Sequence, residues 1–340
     1  MIVDLHLDIA WNALAGHSPH ELGERRAVSL PALRDGGVGV IGGTLFAQPK
    51  VGDGVGYVDR DGAAADCLEQ MAAYDDLERG GHLSLVRTAA DLDREGLRLA
   101  VLMEGADAMA LPGEDQRLTP QAWFDRGVRT VGLAWRATRW GGGTATPGPL
   151  TAEGASLVRE LDRVGMIHDV SHLAEAATDE LLDVATGPVF ASHSNCREIV
   201  REDPSGRHLP DRQIAWIARR GGIVGINLFD WFLIPPAELA ARRATLADWA
   251  RHVRHACDVI GDADHVALGS DADGGFGSDR LPRELSTAAD WPRLGEALAD
   301  AGFGDDEVRA VLEDNAMRFL RDSLPTSDVL DASPDEGANI

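Results

Sequence analysis

The hydrophobic pattern along the chain repeats one unit of three parts. A short apolar run rich in β-branched residues comes first, a glycine-rich or polar loop follows, and a longer amphipathic segment completes the unit. Such runs are typical of buried strands, and amphipathic segments are typical of helices that pack on them. Eight such runs occur in the sequence: Ile2–His6, Val38–Phe46, Leu97–Glu104, Arg129–Trp135, Gly165–Ser171, Pro188–His193, Gly222–Leu228 and His265–Asp271.

Helical periodicity fills the segments between the runs. Strands that alternate with helices favour parallel pairing through right-handed crossover connections. Eight units of this kind predict a (β/α)8 TIM-type barrel of the α/β class, with loop insertions at its carboxyl-terminal face. An open doubly wound sheet is the alternative, but it requires a glycine-rich phosphate-binding fingerprint after an early strand, and the sequence has none there. The segments read as helices are Ala63–Glu78, Ala152–Val164, Ala174–Val184, Asp211–Arg219, Leu246–Ile260 and Asp305–Arg321.

The pattern predicts a single barrel domain over residues 1–323. Residues 324–340 are polar and acidic, and we expect them to form a mobile tail. Residues 47–62 and 139–150 are rich in glycine and proline and follow the second and fourth runs. On a barrel they would be loops at the face where active sites are built.

Composition narrows the classes of protein that the chain can belong to. Its 340 residues are 44% hydrophobic and 26% charged, which is typical of a folded globular protein. A net charge of −24 disfavours nucleic acid as a partner, because an acidic chain repels phosphate. No apolar run is long enough to span a membrane, and the first residues lack the features of a signal peptide. Because Cys67, Cys196 and Cys257 are odd in number and widely spaced, a disulfide framework is disfavoured and we expect a cytoplasmic protein.

Side chains suited to metal binding and acid–base chemistry lie at the carboxyl-terminal ends of five of the runs. His6 and Asp8 are two residues apart, so strand alternation places both on one face. A single histidine at such a place is usually a structural residue, and a single aspartate is usually a helix cap. On a parallel barrel, however, all these strand ends meet at one mouth. The complete set is His6, Asp8, Glu104, His172, His193 and Asp271.

Three imidazoles and three carboxylates buried in one mouth are costly without a cation, so the set predicts a metal site. Five ligands exceed the three protein ligands that a catalytic zinc ion usually has. If Glu104 bridges two ions, His6 and Asp8 complete one ligand set, and His172 and His193 complete the other. The sequence therefore predicts two divalent ions, most simply Zn²⁺, with manganese or cobalt as alternatives.

Asp271 remains without a metal to bind in this scheme. Two divalent ions would hold a bridging hydroxide as the nucleophile at neutral pH. Asp271, at the end of the eighth run, would orient that hydroxide and carry its proton to the leaving group. We therefore expect Asp271 to be the catalytic acid–base residue.

With these residues in place, the sequence resembles the renal-type (membrane) dipeptidase family of the amidohydrolase superfamily over nearly its whole length. The resemblance implies a binuclear zinc barrel that hydrolyses dipeptides, often with a D-residue at the carboxyl-terminal position, and it suggests a homodimer. The motifs that carry it are Asp4–Asp8, Glu104–Gly105, Asp169–His172, Ser192–Ser194, Arg207–Asp211, Gly269–Gly274 and Asn315–Phe319.

The substrate-binding residues follow the family less closely than the ligands do. The resemblance implies that Arg207 grips the substrate carboxylate, with Arg136 and Arg139 as further candidates. Trp135 stands where the family has a histidine that binds and polarises the scissile carbonyl. Asn227 begins a stretch in which family members often carry a tyrosine. We expect both Trp135 and Asn227 to belong to the substrate site.

Three functions are compatible with these observations. The leading hypothesis is a metal-dependent dipeptidase that acts on a small dipeptide-like substrate. The tryptophan at position 135 keeps a second hypothesis open, a binuclear amidohydrolase for a non-dipeptide amide, an N-acyl amino acid, a lactone or a biosynthetic intermediate. A metal-stabilised binding protein is disfavoured, since a purely structural site has no use for the spare carboxylate of Asp271.

Overall fold

The eight apolar runs contain the strands of a parallel barrel. A computed structural model describes residues 1–201 and 203–326. In the described chain the strands are β1 (Ile2–Leu7), β2 (Val38–Phe46), β3 (Ser84–Leu85), β4 (Arg98–Glu104), β5 (Val128–Gly132), β6 (Gly141–Gly143), β7 (Thr146–Leu150), β8 (Ile167–Asp169), β9 (Val189–Phe190), β10 (Val224–Ile226) and β11 (Val266–Leu268).

The main sheet is parallel and closes on itself. Its strand order is β10-β11-β1-β2-β4-β5-β8-β9, with β3 added beside the start of β4. A parallel bridge between Ala191, directly after β9, and Val224 of β10 joins the two ends of that order. The predicted (β/α)8 barrel is thereby confirmed, and the open doubly wound sheet is excluded.

Helices surround the barrel between the strands. The predicted helices 152–164, 211–219 and 246–260 have the observed bounds, and two others differ by one to three residues at an end. The α-helices are α1 (Ile9–Leu14), α2 (Leu30–Asp35), α3 (Arg60–Arg79), α4 (Pro120–Arg126), α5 (Ala152–Val164), α6 (Glu175–Val184), α7 (Arg197–Val200), α8 (Asp211–Arg219), α9 (Asp230–Leu233), α10 (Pro236–Leu239), α11 (Leu246–Ile260), α12 (Pro292–Asp300), α13 (Asp305–Arg309) and α14 (Asn315–Ser323).

The closing segment differs from the single helix predicted over Asp305–Arg321. A π-helical turn over 310–314 separates α13 from α14. Directly after this turn, the buried amide of Asn315 donates hydrogen bonds to the carbonyls of Ala263 (2.6 Å) and Val266 (2.9 Å). These contacts tie the start of α14 to the base of β11, and a wide turn is a usual response to such a local constraint.

The interior of the barrel is apolar along the middle of the strands and polar at the mouth, where the strands end. Along β4, Ala100 and Leu102 point into the interior core, and Glu104 continues the same face at the carboxyl end of the strand. At the opposite end of the barrel, Phe319 and Leu320 of α14 pack against this core. The proposed chemistry therefore lies at the carboxyl end of the strands, while buried Arg98 at the other end of β4 donates to backbone carbonyls.

A bulge in β1 turns His6 toward the mouth. Asp4 pairs with Ile41 and Leu7 pairs with Gly43, so β1 holds one more residue than β2 over this stretch. Leu5 therefore packs in the interior core while His6 still faces the barrel mouth.

The inserted loops carry more regular structure than their composition suggests. Residues 139–150 contain the antiparallel hairpin of β6 and β7 rather than an irregular loop. Both insertions reach the mouth, since Gln48 of one and Thr144 of the other line the same cleft. The expected mobility of the tail falls largely on residues 327–340, which lie outside the described residues. No helix in the described part of the chain is long and apolar enough to cross a membrane.

Candidate metal centre and active site

Glu104 lies between three imidazoles at the centre of the barrel mouth. One of its carboxylate oxygens lies 3.1 Å from Nε2 of His172 and 3.7 Å from Nε2 of His193. The other oxygen lies 3.5 Å from Nε2 of His6. A carboxylate that faces different nitrogen ligands with its two oxygens has the arrangement that a bridging ligand requires.

Asp8 and Asp271 complete the cluster on the side of His6. Ligand atoms of His6, Asp8 and Asp271 all lie within 4.8 Å of one another. The nearest oxygen of Asp271 is 4.0 Å from Nε2 of His6. The Asp8 carboxylate accepts a short hydrogen bond from the hydroxyl of Thr44. The structure thus brings together all six residues that the sequence placed in the mouth.

A single hydroxyl, that of Ser192, orients two of the imidazoles. Ser192 Oγ donates to the carboxylate of Asp169 at 2.6 Å. It also lies 3.2 Å from Nδ1 of His6 and 2.7 Å from Nδ1 of His193. A hydroxyl has one proton to donate, so with Asp169 as its acceptor it accepts from both imidazole N–H groups. In its neutral form each ring then presents the lone pair of Nε2 to the mouth.

The third imidazole is held in a similar way. Nδ1 of His172 lies 2.8 Å from the hydroxyl of Thr144, and its Nε2 lies 2.9 Å from Nε2 of His193. Buried Nε2 of His6 has no hydrogen-bond partner within the described residues. Histidines that bind metals typically have their other ring nitrogen engaged in this manner, so the donor set fits divalent cations.

The charges in the mouth also fit a site for divalent cations. Burial lowers the pKa of His6, but the carboxylates of Glu104, Asp8 and Asp271 outweigh this effect and raise it to about 10. Burial and the nearby guanidinium of Arg207 lower the pKa of His172 to about 4. The negative charge that draws a proton to His6 is the charge that a divalent cation would neutralise.

Burial raises the pKa of the Asp271 carboxyl to about 8; His6 opposes this shift, and Asp8 and Glu104 add to it.

The Asp271 backbone has a left-handed conformation, with φ of 57°. His172 shares this conformation, with φ of 66°. Non-glycine residues adopt it at a cost, and they are concentrated at functional sites.

Trp135 lies in the wall of the cleft above this centre. The cleft has a volume of about 460 Å³ and is lined by Asp8, Glu104, His172 and Asp271 together with Trp135. The half-buried Trp135 ring lies 5.9 Å from the His172 ring, measured between centroids. Trp135 therefore belongs to the cleft lining, and its contact with a substrate stays a prediction.

Asn227 has a different place from the one expected. It is fully buried and does not belong to the cleft lining. Its side-chain amide donates to Asp271 at 2.9 Å, while its oxygen accepts from the N–H of Phe229 at 2.6 Å. The structure therefore gives Asn227 a contact with the predicted catalytic carboxylate rather than a contact surface for substrate.

Arg207 is buried beside the centre, with only 3% of its surface exposed. Its two Nη atoms donate to the hydroxyl of Ser194 (2.9 Å) and to the carbonyl of His193 (2.5 Å). A guanidinium has five N–H groups, and two of these are used here; buried Nε has no partner within the described chain, but Arg207, like Asn227, is not part of the cleft lining. Of the two further arginines, Arg139 is bound at both Nη atoms by Glu114, and Arg136 lies over the ring of Trp135.

Sequence reasoning did not single out the residues that support the ligands. Ser192 contacts its neighbour His193 but also the distant His6, and Thr144 contacts His172 from another loop, so the local pattern does not show that these hydroxyls orient the imidazoles. Phe46 also lines the cleft, and its position at the end of the second run would have been a usable signal.

Comparison with known proteins identifies the family. The sequence model of the membrane dipeptidases, peptidase family M19, matches residues 1–333. The chain belongs to this family. The resemblance drawn from the motifs is thereby confirmed, and the chain is a member of a family of metallo-dipeptidases.

Individual relatives are similar to the chain over much of its length. An uncharacterised protein in the pqqA 5′ region of Klebsiella pneumoniae is 34% identical over 268 residues, which cover 75% of this chain and 92% of that protein. Dipeptidase 3 of Rattus norvegicus is 28% identical over 87% of this chain and 58% of its own length. The chain spans about half the length of several curated dipeptidases that it matches.

A solved metallopeptidase structure superimposes closely. The metallopeptidase of Rhodobacter sphaeroides, liganded with a phosphinate mimic of the dipeptide L-Ala-D-Ala, has a TM-score of 0.82 and 25% sequence identity. The match covers 95% of this chain and 99% of the other. The two proteins therefore share the barrel fold described above.

Proposed function

We propose that this M19 member is a binuclear zinc dipeptidase. The observation that carries the proposal is the position of Glu104, whose two oxygens face His6 on one side and His172 with His193 on the other. His6, Asp8 and Glu104 would hold one ion, and Glu104, His172 and His193 would hold the second. When bound, two such ions supply an activated water and a Lewis acid for the scissile carbonyl.

Asp271 is the proposed catalytic acid–base residue. It lies at the mouth within 4.0 Å of His6 and is held by Asn227 through one of its oxygens. In the reaction, Asp271 accepts a proton from the attacking water and delivers it to the nitrogen of the leaving amine. The bond between the water oxygen and the carbonyl carbon forms, and the peptide C–N bond breaks.

Substrate binding is assigned to two further residues. The remaining N–H groups of Arg207 are the proposed partners of the substrate carboxylate. Trp135 is proposed to contact the substrate from the cleft wall, beside His172. The phosphinate mimic of L-Ala-D-Ala bound to the Rhodobacter sphaeroides relative supports a dipeptide substrate, including L,D pairs.

The experiment combines metal analysis with turnover. After reconstitution with zinc, elemental analysis is expected to give a ratio near two ions per chain, and dipeptides are expected to be hydrolysed. A ratio of one with full activity would contradict the bridging role of Glu104. Manganese and cobalt reconstitution in parallel identifies the metal that supports the highest kcat/KM.

A second candidate activity is favoured by one observation, the tryptophan at position 135 in place of the expected histidine. An amidohydrolase acting on N-acyl amino acids or lactones would use the same metal centre. The substrate panel therefore includes both classes, and hydrolysis of acyl or lactone substrates without any dipeptide turnover would favour this candidate.

The proposal also includes a homodimer in the reducing cytoplasm. Cys67, Cys196 and Cys257 are buried free thiols, which supports a reducing compartment. The dimer rests on the family resemblance, and light scattering on the purified chain tests it.

A further inference from the structure

The cleft above the metal centre is unusually rich in aromatic side chains. The whole chain has eight Trp, eight Phe and two Tyr residues, and six of these line this one cleft. All six are only half buried, so part of each ring remains accessible at the cleft. The six residues are Trp11, Phe46, Trp135, Phe229, Phe232 and Phe276.

Three of these rings form a continuous first wall, made of Trp11, Phe46 and Trp135. The ring centroids of Trp11 and Phe46 are 6.1 Å apart, and those of Phe46 and Trp135 are 5.3 Å apart in an edge-to-face arrangement. Trp135 brings this wall to within 5.9 Å of the His172 ring. A side chain on a substrate bound at the metal centre would lie against this surface.

The other three rings form a second wall, made of Phe229, Phe232 and Phe276. Phe229 stacks on Phe276 at 4.4 Å and meets Phe232 edge-on at 5.0 Å. The guanidinium of Arg207 lies 5.4 Å from the ring of Phe232. The second wall comes from the segments after β10 and β11. The first wall comes from elements near β1, β2 and β5.

The charged groups of the cleft are already assigned to the centre. Asp8, Glu104 and His172 are proposed ligands, and Asp271 is the proposed catalytic residue. Neither lysine nor arginine occurs among the described residues that line the cleft. A charged substrate side chain would thus meet ring surface and lose its hydration at a cost. The guanidinium groups of Arg136, over Trp135, and of Arg280, over Phe229, lie near the walls but are not among these lining residues.

We propose that the preferred substrates are dipeptides with large, uncharged apolar side chains on both residues, aromatic ones above all, each packed against one wall. This inference rests on the proposed dipeptidase function. The cleft volume of about 460 Å³ is within the usual range for small-molecule sites. Aromatic rings bury large areas and gain further free energy from edge-to-face or offset contacts with other rings.

The test is a matrix of substrates and variants of the zinc-loaded protein. The substrates are Phe-Phe, Phe-Ala, Ala-Phe, Ala-Ala, Glu-Ala and Lys-Ala, each as L,L and L,D forms. In the unmodified protein, kcat/KM for Phe-Phe is expected to exceed that for Ala-Ala by roughly 10- to 100-fold, because each ring removes apolar area from water. Glu-Ala and Lys-Ala are expected to be no better than Ala-Ala.

Variants of the protein test which wall contacts which side chain of the dipeptide. Trp135→Ala is expected to lower the preference for Phe over Ala at one position of the dipeptide, and Phe276→Ala at the other. Trp216→Ala, a half-buried tryptophan that packs against the core away from the cleft, is the matched control and should leave both preferences unchanged.

The outcomes separate this inference from the function on which it rests. Absence of turnover on every dipeptide contradicts the proposed function itself. Turnover in which Phe-containing dipeptides are no better than Ala-Ala overturns the substrate inference alone. Loss of preference at the same position in both variants overturns the assignment of one wall to each side chain.

Discussion

Replacement of Ser192 by alanine is expected to weaken both proposed metal sites at once. Ser192 Oγ contacts Nδ1 of His6 and Nδ1 of His193, which belong to different proposed ligand sets. Loss of an orienting partner of this kind typically lowers metal affinity by about 10- to 100-fold. Because a tenfold change corresponds to about 1.4 kcal/mol, each ion should lose about 1.4–2.8 kcal/mol of binding free energy.

The substitution also leaves the Asp169 carboxylate without a 2.6 Å donor. A buried acceptor that loses its partner costs about 1–3 kcal/mol of folding free energy, so thermal unfolding of the metal-free variant is measured first. Asp169 retains the N–H groups of Ser171 and Ser192 as donors, which should preserve the fold.

The assay is a zinc titration of the metal-free protein against a chromophoric chelator, with both dissociation constants fitted. Thr144→Val is the matched control, because the Thr144 hydroxyl contacts Nδ1 of His172 and no other imidazole. This variant should lower the affinity for one zinc ion and leave the affinity for the other unchanged. The reasoning is refuted if folded Ser192→Ala loses affinity at one site only, or if Thr144→Val weakens both sites equally.

Three further predictions concern the reaction. Asp271→Asn should keep two metal ions by elemental analysis and lower kcat by roughly 10²-fold or more, whereas loss of metal would make the residue a ligand. Asn227→Leu removes a hydrogen bond that lowers the pKa of Asp271. The pKa of Asp271 should therefore rise. Since the ionised carboxylate accepts the proton, the acid limb of the kcat/KM–pH profile should move to higher pH. An unchanged acid limb would show that Asn227 does not affect the pKa of this carboxylate. Trp135→His should raise kcat/KM on small dipeptides relative to the substrates that the unmodified protein prefers, and an unchanged ranking over one dipeptide panel would mean that Trp135 is packing only.

The sequence predicts the barrel well because its strands are buried on both faces. Such strands are continuous apolar runs that composition makes visible, and parallel pairing brings their carboxyl ends together without further information. That single geometric rule places His6, Glu104 and His193 in one mouth although they are far apart in the chain.

The parts that could not be predicted depend on contacts across the sequence. The hairpin strand Thr146–Leu150 contains two prolines and a glycine, which are disfavoured in strands, so its pairing with Gly141–Gly143 gives no local signal. The π-turn before Asn315 reflects hydrogen bonds to a loop about 50 residues earlier in the chain. The contact of Asn227 with Asp271 likewise joins the ends of two neighbouring strands.

The left-handed backbone at His172 and Asp271 places a limit on how stable this protein can become. Each residue holds a conformation that costs about 1–3 kcal/mol for a side chain with a Cβ, and that glycine adopts freely. Glycine at either position would therefore relieve strain in the metal-free fold while removing a proposed metal ligand or the proposed acid–base residue. Selection for thermostability alone would favour such inactive variants, so any effort to evolve a more robust enzyme has to screen for turnover in the same step.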